Sequence, residues 1–347
     1  MGVRIRGTYG IPGVYPDRAS LLGHLGICLL RRYEETGNLQ DLDHVITRLE
    51  AAFDAAPEAH RGRAGRMSDL GGLWHDRYER TQNELDLETS IAWSEAAVEA
   101  TPKNHPNRAT RIKIFGNGLY SRYELHGNLG DLNHAITQLE VALEETLETH
   151  RNGASLLHVI GFYMYRRYEK TRDVQDLHTA IARLQAAVEA TSDDHPHRAN
   201  RLQHFGKSLY SQYDNTGDLQ DLHTAIAQLK AAVEATPEDQ PDEVLQLKGE
   251  IGQGFHDLHN RTGDLQDVNH GIALLECAVD AMPEDHPGRV PHLINLGAAL
   301  FCRCKKTANP QDSDRAIAYL EAAMKRMPEG HPEWRPAWGN SRNCWEQ

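Results

Sequence analysis

The chain has 347 residues, of which 39% are hydrophobic and 25% are charged, a balance typical of an ordered protein. Its formal net charge of −13 argues against nucleic acid and anionic membranes as partners, because both are bound through a surplus of Lys and Arg. The first residues contain no apolar segment of signal-peptide length, and no apolar run could span a bilayer. An odd number of cysteines (five) without CxxC spacing favours reduced thiols and a cytoplasmic location.

A motif of the form RYExTGxLxDL returns along the chain at a constant interval. Its tyrosine recurs every 45 residues, at Tyr33, Tyr78, Tyr123, Tyr168 and Tyr213. A glycine keeps the same interval, apart from one step of 46, at Gly26, Gly71, Gly116, Gly161, Gly206, Gly252 and Gly297. Internal repetition at a period of this length is the signature of a solenoid, built here from seven units and the start of an eighth.

Each unit contains two helical patterns and no strand pattern. In the fifth unit, apolar residues from Leu202 to Tyr213 recur at three- and four-residue steps, which predicts an amphipathic helix. The following "NTGD" ends this helix, because glycine at position 217 can adopt the left-handed conformation of a helix C-terminus. A second apolar stripe, over 222–233, predicts the partner helix, which stops at Thr236-Pro237.

Two positions of the repeat carry structural predictions. Glycine inside the first helix costs about 1 kcal/mol relative to alanine, so seven such glycines predict a close approach by the second helix. Asp221 and its six equivalents stand at the start of the second helix, where a carboxylate can accept free N–H groups and complement the helix dipole. We therefore expect tightly packed hairpins with capped second helices.

The segment "AIAQLKAAVEATP" (225–237) resembles the second helix of a tetratricopeptide repeat (TPR), and "LQHFGKSL" (202–209) resembles the first. The 45-residue unit is longer than the usual 34 residues of that family. Long units of this kind are similar to the repeat arrays of fungal and bacterial proteins that carry a CHAT protease or a nucleotide-binding signalling domain. No such domain follows the last repeat of this chain.

The resemblance implies an all-α fold, a right-handed superhelix of about seven helix-turn-helix repeats. We expect one repeat domain over residues 15–330, after a lead-in over 1–14 and before a Trp-rich cap or tail over 331–347. The tail contains Trp334, Trp338 and Trp345, which are predicted to cover the exposed end of the seventh unit or to dock a partner.

Motifs for catalysis or metal binding are weak. "GKS" (206–208) lacks the glycine that a phosphate loop needs five residues earlier, where Arg201 stands. His256 and His259 lie one helical turn apart without an obvious third ligand. The linker histidines occur once per unit and are interpreted as turn and packing residues, and the recurring Arg and Glu columns as salt bridges between neighbouring units. We assign no catalytic residue, metal or cofactor.

By the resemblance, the first helices line a concave groove, and the side chains facing inward stand at fixed offsets from each repeat glycine. At these positions the copies differ from one another, and aromatic and basic side chains collect in the central units. The predicted ligand-binding residues are His75, Asp76, Lys113, Asn117, Tyr120, His158, Phe162, Tyr165, Arg166, Lys207, Tyr210 and His256. Tyrosine suits recognition because it buries a rigid surface and keeps a hydroxyl for hydrogen bonding.

We expect the groove to bind a peptide or protein partner that carries an acidic or carboxylate group. The family's two-carboxylate clamp is not predicted, because Lys113 and Asn117 match it whereas Tyr165 replaces an expected asparagine. Three alternatives stay open. The tyrosines fill space between helices, the groove binds a small molecule or acts as an enzyme with His75 or His256 as base, or the chain is the regulatory remnant of a larger signalling protein.

Overall fold

The computed structural model describes residues 18–54, 62–146 and 153–326, and all regular structure there is helical. Fourteen helices follow in chain order: α1 Arg18–Thr36, α2 Leu39–Asp54, α3 Arg63–Thr81, α4 Glu84–Glu99, α5 Arg108–His126, α6 Leu129–Thr146, α7 Gly153–Thr171, α8 Val174–Glu189, α9 Arg198–Thr216, α10 Leu219–Ala235, α11 Pro241–Thr262, α12 Leu265–Ala281, α13 Arg289–Thr307 and α14 Pro310–Arg326. The predicted all-α repeat fold is confirmed. The lead-in over 1–14, the tail over 331–347 and His60 lie outside the described residues.

The helices form two compact units, which divide between Asn152 and Gly153. Unit 1 contains α1–α6 and unit 2 contains α7–α14. Within each unit, an odd-numbered helix packs on the even-numbered helix that follows it, and that second helix packs on the first helix of the next repeat. The interpretation of residues 15–330 as one domain stays a prediction.

The repeat glycine lets the two helices of a hairpin approach closely. A Cβ atom added at Gly161 would lie 2.8 Å from Leu184 Cγ, and one added at Gly252 would lie 2.7 Å from Leu275 Cγ. Such distances are shorter than real Cβ contacts, so alanine would separate the helices. The predicted close approach is confirmed at these glycines and at Gly206 and Gly297, whereas a Cβ at Gly116 would meet Leu139 at an ordinary distance of 3.4 Å. Close packing therefore explains the glycine in most units and not in the third.

The recurring aspartate does not cap the second helix, contrary to expectation. The N-cap is the residue three positions earlier, and the side chain of Asp173, for example, accepts the N–H of Gln175. Asp176 lies in the first turn and instead accepts hydrogen bonds from the Arg167 guanidinium at 2.6 and 2.8 Å. The same ion pair closes five hairpins, as Arg32–Asp41, Arg77–Asp86, Arg122–Asp131, Arg167–Asp176 and Arg303–Asp312.

The recurring arginines also connect repeats, as expected. Arg77 Nε lies 2.8 Å from Asp43 Oδ1 of α2, and Arg122 Nη1 lies 3.0 Å from Glu88 Oε2 of α4. The guanidinium therefore joins three helices, two of its own hairpin and one of the preceding hairpin. The recurring glutamates do not provide these carboxylates.

The linker motif HPxRA ties each hairpin to the next one. The Nδ1 atoms of His105, His195 and His286 each accept the backbone N–H two residues later, at 3.1 Å. Arg108 and Arg198 donate to the carbonyls of Thr101 and Thr191 at the end of the preceding helix. The interpretation of these histidines as turn residues is confirmed.

Two further expectations concern the environment of the chain. None of the described helices combines the length and hydrophobicity that crossing a membrane requires. Cys28, Cys277 and Cys304 are free thiols.

The helix ends generate a first prediction. The residue after α13, Ala308, has a φ of 52°, in the left-handed region where the equivalent residue after α5 is Gly127 with a φ of 71°. We expect Ala308→Gly to raise the free energy of unfolding by about 1 kcal/mol, because a Cβ is disfavoured in this conformation. Urea denaturation followed by circular dichroism would measure the change.

Gly127→Ala is the matched control, since a Cβ at Gly127 would meet no atom within 4 Å and only the backbone conformation is tested. It should lower the free energy of unfolding by about 1 kcal/mol. Equal stabilities for Ala308→Gly and the wild type would contradict the assignment of strain to Ala308.

Candidate functional site

In unit 2, the first helices of three successive repeats bring polar side chains around one cavity. Tyr165 comes from α7, Lys207, Tyr210 and Ser211 from α9, and Glu250 and Gln253 from α11. Leu229 of α10 supplies an apolar wall, and the cavity has a volume of about 160 Å³. Three of the predicted ligand-binding residues, Tyr165, Lys207 and Tyr210, therefore share one cavity.

Two contacts between neighbouring helices shape this cavity. The hydroxyls of Tyr165 and Ser211 are hydrogen-bonded at 3.1 Å, which joins α7 to α9. Lys207 Nζ lies 2.9 Å from Glu250 Oε1, which joins α9 to α11. Burial, and secondarily the negative charge of Glu169, raises the pKa of Tyr165, so its hydroxyl stays protonated at neutral pH.

Two residues that line the cavity each hold a buried polar atom without a hydrogen-bond partner. These are the hydroxyl oxygen of Tyr210 and Oε2 of Glu250. The other carboxylate oxygen of Glu250 is saturated, because it receives Lys207 and the amide of Gln246 at 3.1 Å. Leaving a polar group unsatisfied costs about 1–3 kcal/mol, so both groups destabilise the free chain as it stands.

A row of rings continues along α7 and α9. The imidazole rings of His158 and His204 are stacked with nearly parallel planes, at an interplanar angle of 8°. His158 Nε2 lies 2.9 Å from His204 Nδ1. Phe162 stacks on His204 with 4.4 Å between ring centroids. Burial, and then the positive charges of His158, Lys207 and Arg166, lower the pKa of His204, so the pair holds a neutral imidazole.

Arg166 follows Tyr165 on α7, and its guanidinium already pairs with a carboxylate of the chain. Its Nη1 lies 2.5 Å from Glu169 Oε2, one helical turn further along α7. Lys207 is likewise paired with Glu250. Both predicted basic residues of unit 2 thus face carboxylates of the chain itself.

In unit 1, five predicted residues lie on α3 and α5. His75 Nε2 of α3 is 2.9 Å from Ser121 Oγ of α5, so these two first helices are joined at the predicted position. Lys113, Asn117 and Tyr120 are half-buried on α5. A groove that runs through both units stays a prediction, because each unit is described by itself.

His75 also belongs to a group of potential metal ligands with Asp76 and Glu79, whose ligand atoms lie within 4.8 Å of one another. The Nδ1 atom of His75 is 3.7 Å from the Glu79 carboxylate, while its Nε2 is occupied by Ser121. Glu79 is exposed, and acidic side chains cluster on many protein surfaces without a metal. We assign no metal site to this group.

His256 does not line the cavity, contrary to its predicted place in the groove. It is only 3% exposed, because α13 covers the short imidazole and places Cys302 Sγ 3.3 Å from Nε2. Burial, and secondarily His259, lowers the pKa of His256 to about 4, and burial raises the pKa of the adjacent Asp257 to about 7. His256 is therefore removed from the ligand-binding residues and from the candidate bases.

Glu250, Gln253 and His204 are the site residues that the sequence reasoning missed. Glu250 and His204 both stand two residues before a repeat glycine, an offset outside the set that was predicted to face inward. The signal was present, because this position is apolar at Ile114 and Val159 and becomes polar in the next two units. Gln253 stands directly after its repeat glycine, an offset already assigned to the groove.

Comparisons with known proteins identify the fold. No protein-family model matches the chain, and no curated protein matches it either. The C-terminal part of a TPR repeat-containing protein from Cytophaga hutchinsonii is similar in structure, with 12% identity and a TM-score of 0.52, covering 90% of this chain and 96% of that one.

Two further solved structures have the same likeness. The apo form of the quorum sensor NprR from B. thuringiensis has 12% identity and a TM-score of 0.51, covering 88% of this chain and 76% of that one. BtubC from P. vanneervenii has 17% identity and a TM-score of 0.50, covering 71% of this chain and 94% of that one. At these identities the likeness establishes the fold alone. The protein is an all-α array of TPR-like helical repeats.

The histidine pair generates a second prediction. A His whose pKa is lowered by folding is neutral in the native state and binds protons more readily when unfolded, so stability falls as pH drops through its ordinary value of about 6.5. We expect His204→Asn to lose less stability than the wild type between about pH 7.5 and about pH 5.5. Urea denaturation at the two pH values would measure this.

His178→Asn serves as the control, because His178 is exposed on α8. It should keep the wild-type pH dependence. An unchanged pH dependence in His204→Asn would show that the pair is protonated in the native state.

Proposed function

We propose that the chain is a non-catalytic TPR-like scaffold that binds a peptide or protein partner on the first-helix face of unit 2. The observation that carries the proposal is the cavity between α7, α9 and α11, two of whose lining residues, Tyr210 and Glu250, each hold a buried polar atom without a hydrogen-bond partner. Polar groups without partners inside a structure call for a ligand or water. Three successive repeats contribute, which suits a partner that extends along the stacking direction.

The size of the cavity favours a peptide over a small metabolite. Pockets that enclose a small molecule usually measure about 300–1,000 Å³, whereas this cavity measures about 160 Å³. That volume suits one side chain or main-chain group of a longer partner, whose remaining residues would lie along the neighbouring helix faces. Tyr165 and Tyr210 line the cavity together with the Lys207–Glu250 pair and supply rigid aromatic surfaces.

The charges of the cavity favour a neutral group over the acidic one expected earlier. Lys207 is compensated by Glu250, and the free oxygen of Glu250 repels a carboxylate while it accepts an N–H. The Tyr210 hydroxyl can donate to an oxygen. A group that offers both an N–H and an oxygen satisfies the two atoms together, as a main-chain amide or the carboxamide of Asn or Gln does.

The cellular role of such a scaffold is inferred from the proteins that the long repeats resemble. Arrays similar to this one occur in proteins with a CHAT protease or a nucleotide-binding signalling domain. We propose that this chain likewise recognises a partner on behalf of a signalling system in the cytoplasm. In unit 2, His256 does not serve as the base of an enzyme, because this side chain is buried against Cys302.

The test uses peptides selected on the immobilised full-length chain from a random linear library. Tyr210→Phe should weaken the selected peptides about tenfold, the effect of losing one buried hydrogen bond of about 1.4 kcal/mol. The same change should leave the free energy of unfolding unchanged or raise it, because it removes a hydroxyl that has no partner in the free protein. Isothermal titration calorimetry and urea denaturation would measure the two effects.

Glu250→Gln is the second variant, because it preserves shape and removes the charge that accepts an N–H. It should also weaken binding, while Glu238→Gln in an exposed linker should not. Selected peptides whose affinity is indifferent to both Tyr210→Phe and Glu250→Gln would place the binding surface elsewhere. Failure to select any peptide against the folded chain would refute the proposed peptide-binding function.

A further inference from the structure

Successive first helices contact one another through two fixed positions of the repeat. The first contacting residue stands four positions after its repeat glycine, and the second stands five positions after the next repeat glycine. By this rule Tyr210 of α9 pairs with Asp257 of α11. The contacts that follow the rule elsewhere, at 2.9, 3.1 and 3.3 Å between polar atoms, are His75–Ser121, Tyr165–Ser211 and His256–Cys302.

Helices α9 and α11 keep the common register on both sides of this pair. The flanking contacts are Lys207–Glu250 before it and Arg261–Tyr213 after it. Each uses the same offsets from the repeat glycines as a hydrogen bond between two other first helices, so the register places the two side chains of the pair opposite each other. The equivalent hydrogen bonds are Gln253–Asn295 between α11 and α13, and Asn215–Tyr168 between α7 and α9.

The contact between Tyr210 and Asp257 is nevertheless not made. The Tyr210 hydroxyl and Asp257 Oδ2 are both buried, and neither has a hydrogen-bond partner. The ring of Tyr210 is turned relative to its equivalent in α7, since it makes an angle of 74° with Tyr213 whereas Tyr165 makes an angle of 33° with Tyr168. Two polar atoms therefore remain unsatisfied where other first helices bond directly.

Asp257 also lacks the positive charge that a buried carboxylate requires. It is 4% exposed, and burial raises its pKa to about 7, an effect that the charge of Arg261 opposes only in part. The nearest imidazole nitrogen, His256 Nδ1 at 3.8 Å from Oδ1, is neutral because burial lowers the pKa of His256 to about 4. Lys207 already pairs with Glu250. A cation brought from outside would stabilise the ionised carboxylate.

We propose that Asp257 and Tyr210 bind the ammonium group of a lysine of the partner. This inference rests on the peptide-binding function proposed above and adds the class of side chain that the partner presents. An ammonium group carries three N–H donors and no acceptor, so it can donate to Asp257 Oδ2 and to the Tyr210 oxygen together. The hydroxyl proton of Tyr210 stays available for an oxygen of the same partner.

The cavity leads towards this pair. Tyr210 and Gln253 line the cavity, and Gln253 stands one helical turn before Asp257 on α11. Lysine is suited to reach a carboxylate at this depth, because its compact charge is carried on a slender four-carbon stem. The planar guanidinium of arginine needs a wider passage.

The charge of the surrounding repeats also favours a basic partner. Residues 201–300 contain 16 Asp and Glu against 6 Lys and Arg, which accounts for most of the formal net charge of −13. A negative field of this kind attracts a positively charged ligand and raises its rate of association. The expected partner is thus opposite in charge to the acidic one that the sequence suggested.

The test is a double-mutant cycle between chain and peptide, using the peptides selected on the immobilised full-length chain. The selected peptides should share a lysine, and its replacement by norleucine, which keeps the stem and removes the ammonium, should weaken binding about thirtyfold. Asp257→Asn should weaken the lysine peptide by a similar factor and leave the norleucine peptide unaffected, because groups in contact give non-additive effects. Isothermal titration calorimetry would measure the four affinities.

Asp280→Asn is the matched control, because it removes the same charge from an exposed position on α12. It should leave the affinity of the lysine peptide close to that of the wild type. The folding control is urea denaturation of Asp257→Asn, whose free energy of unfolding should equal or exceed that of the wild type, since the change removes a buried charge without a cation.

The outcomes separate this site from the proposed function. Peptides that lose affinity in Tyr210→Phe but bind Asp257→Asn as tightly as the wild type would uphold peptide binding and refute the lysine site. Selected peptides without a shared lysine, or additive effects in the cycle, would refute it as well. Equal weakening by Asp280→Asn would assign the effect to the field of the repeats and overturn a direct contact with Asp257.

Discussion

The contact between the two helices of each hairpin, at the repeat glycine, is the constraint on which the rest of the structure depends. At Gly161, Gly252 and Gly297 the second helix approaches so closely that a single Cβ would collide with a leucine. Close approach fixes the rotation of the first helix about its axis, because only one face can accept the partner. The opposite face of that helix is then available to the groove, and its side chains gain their positions from packing on the other side.

The same hairpins are held at their connecting turn by electrostatics. Arg167 with Asp176, and four equivalent pairs, connect the last turn of the first helix to the first turn of the second. The aspartates are buried and the arginines extend to a neighbouring repeat, so the pairs fix the hairpins relative to one another within a unit. Isolated surface pairs contribute little, but these pairs lie at least partly out of solvent, and all except Arg77–Asp86 make two hydrogen bonds.

The cavity of unit 2 departs from this regularity. It occurs where position two before the repeat glycine changes from the apolar Ile114 and Val159 to His204 and Glu250. A polar side chain at this position cannot join the apolar interface without a partner, so Glu250 turns to Lys207 and His204 to His158. The buried polar atoms of Tyr210 and Glu250 that lack a hydrogen-bond partner, together with the cavity that these residues line, make this place a candidate for recognition.

The sequence by itself determined the period, the two helices of each unit, the glycine contact and the turn role of the linker histidines, since each depends on residues near one another in the chain. The sequence also predicted that Tyr165, Lys207 and Tyr210 share one face. Only the tertiary structure decided that Asp176 binds an arginine instead of capping a helix, that His256 is buried beneath Cys302, and that Glu250 completes the cavity. Those outcomes depend on side chains from neighbouring helices that compete for the same space. The period of the sequence does not predict which of these side chains occupies it.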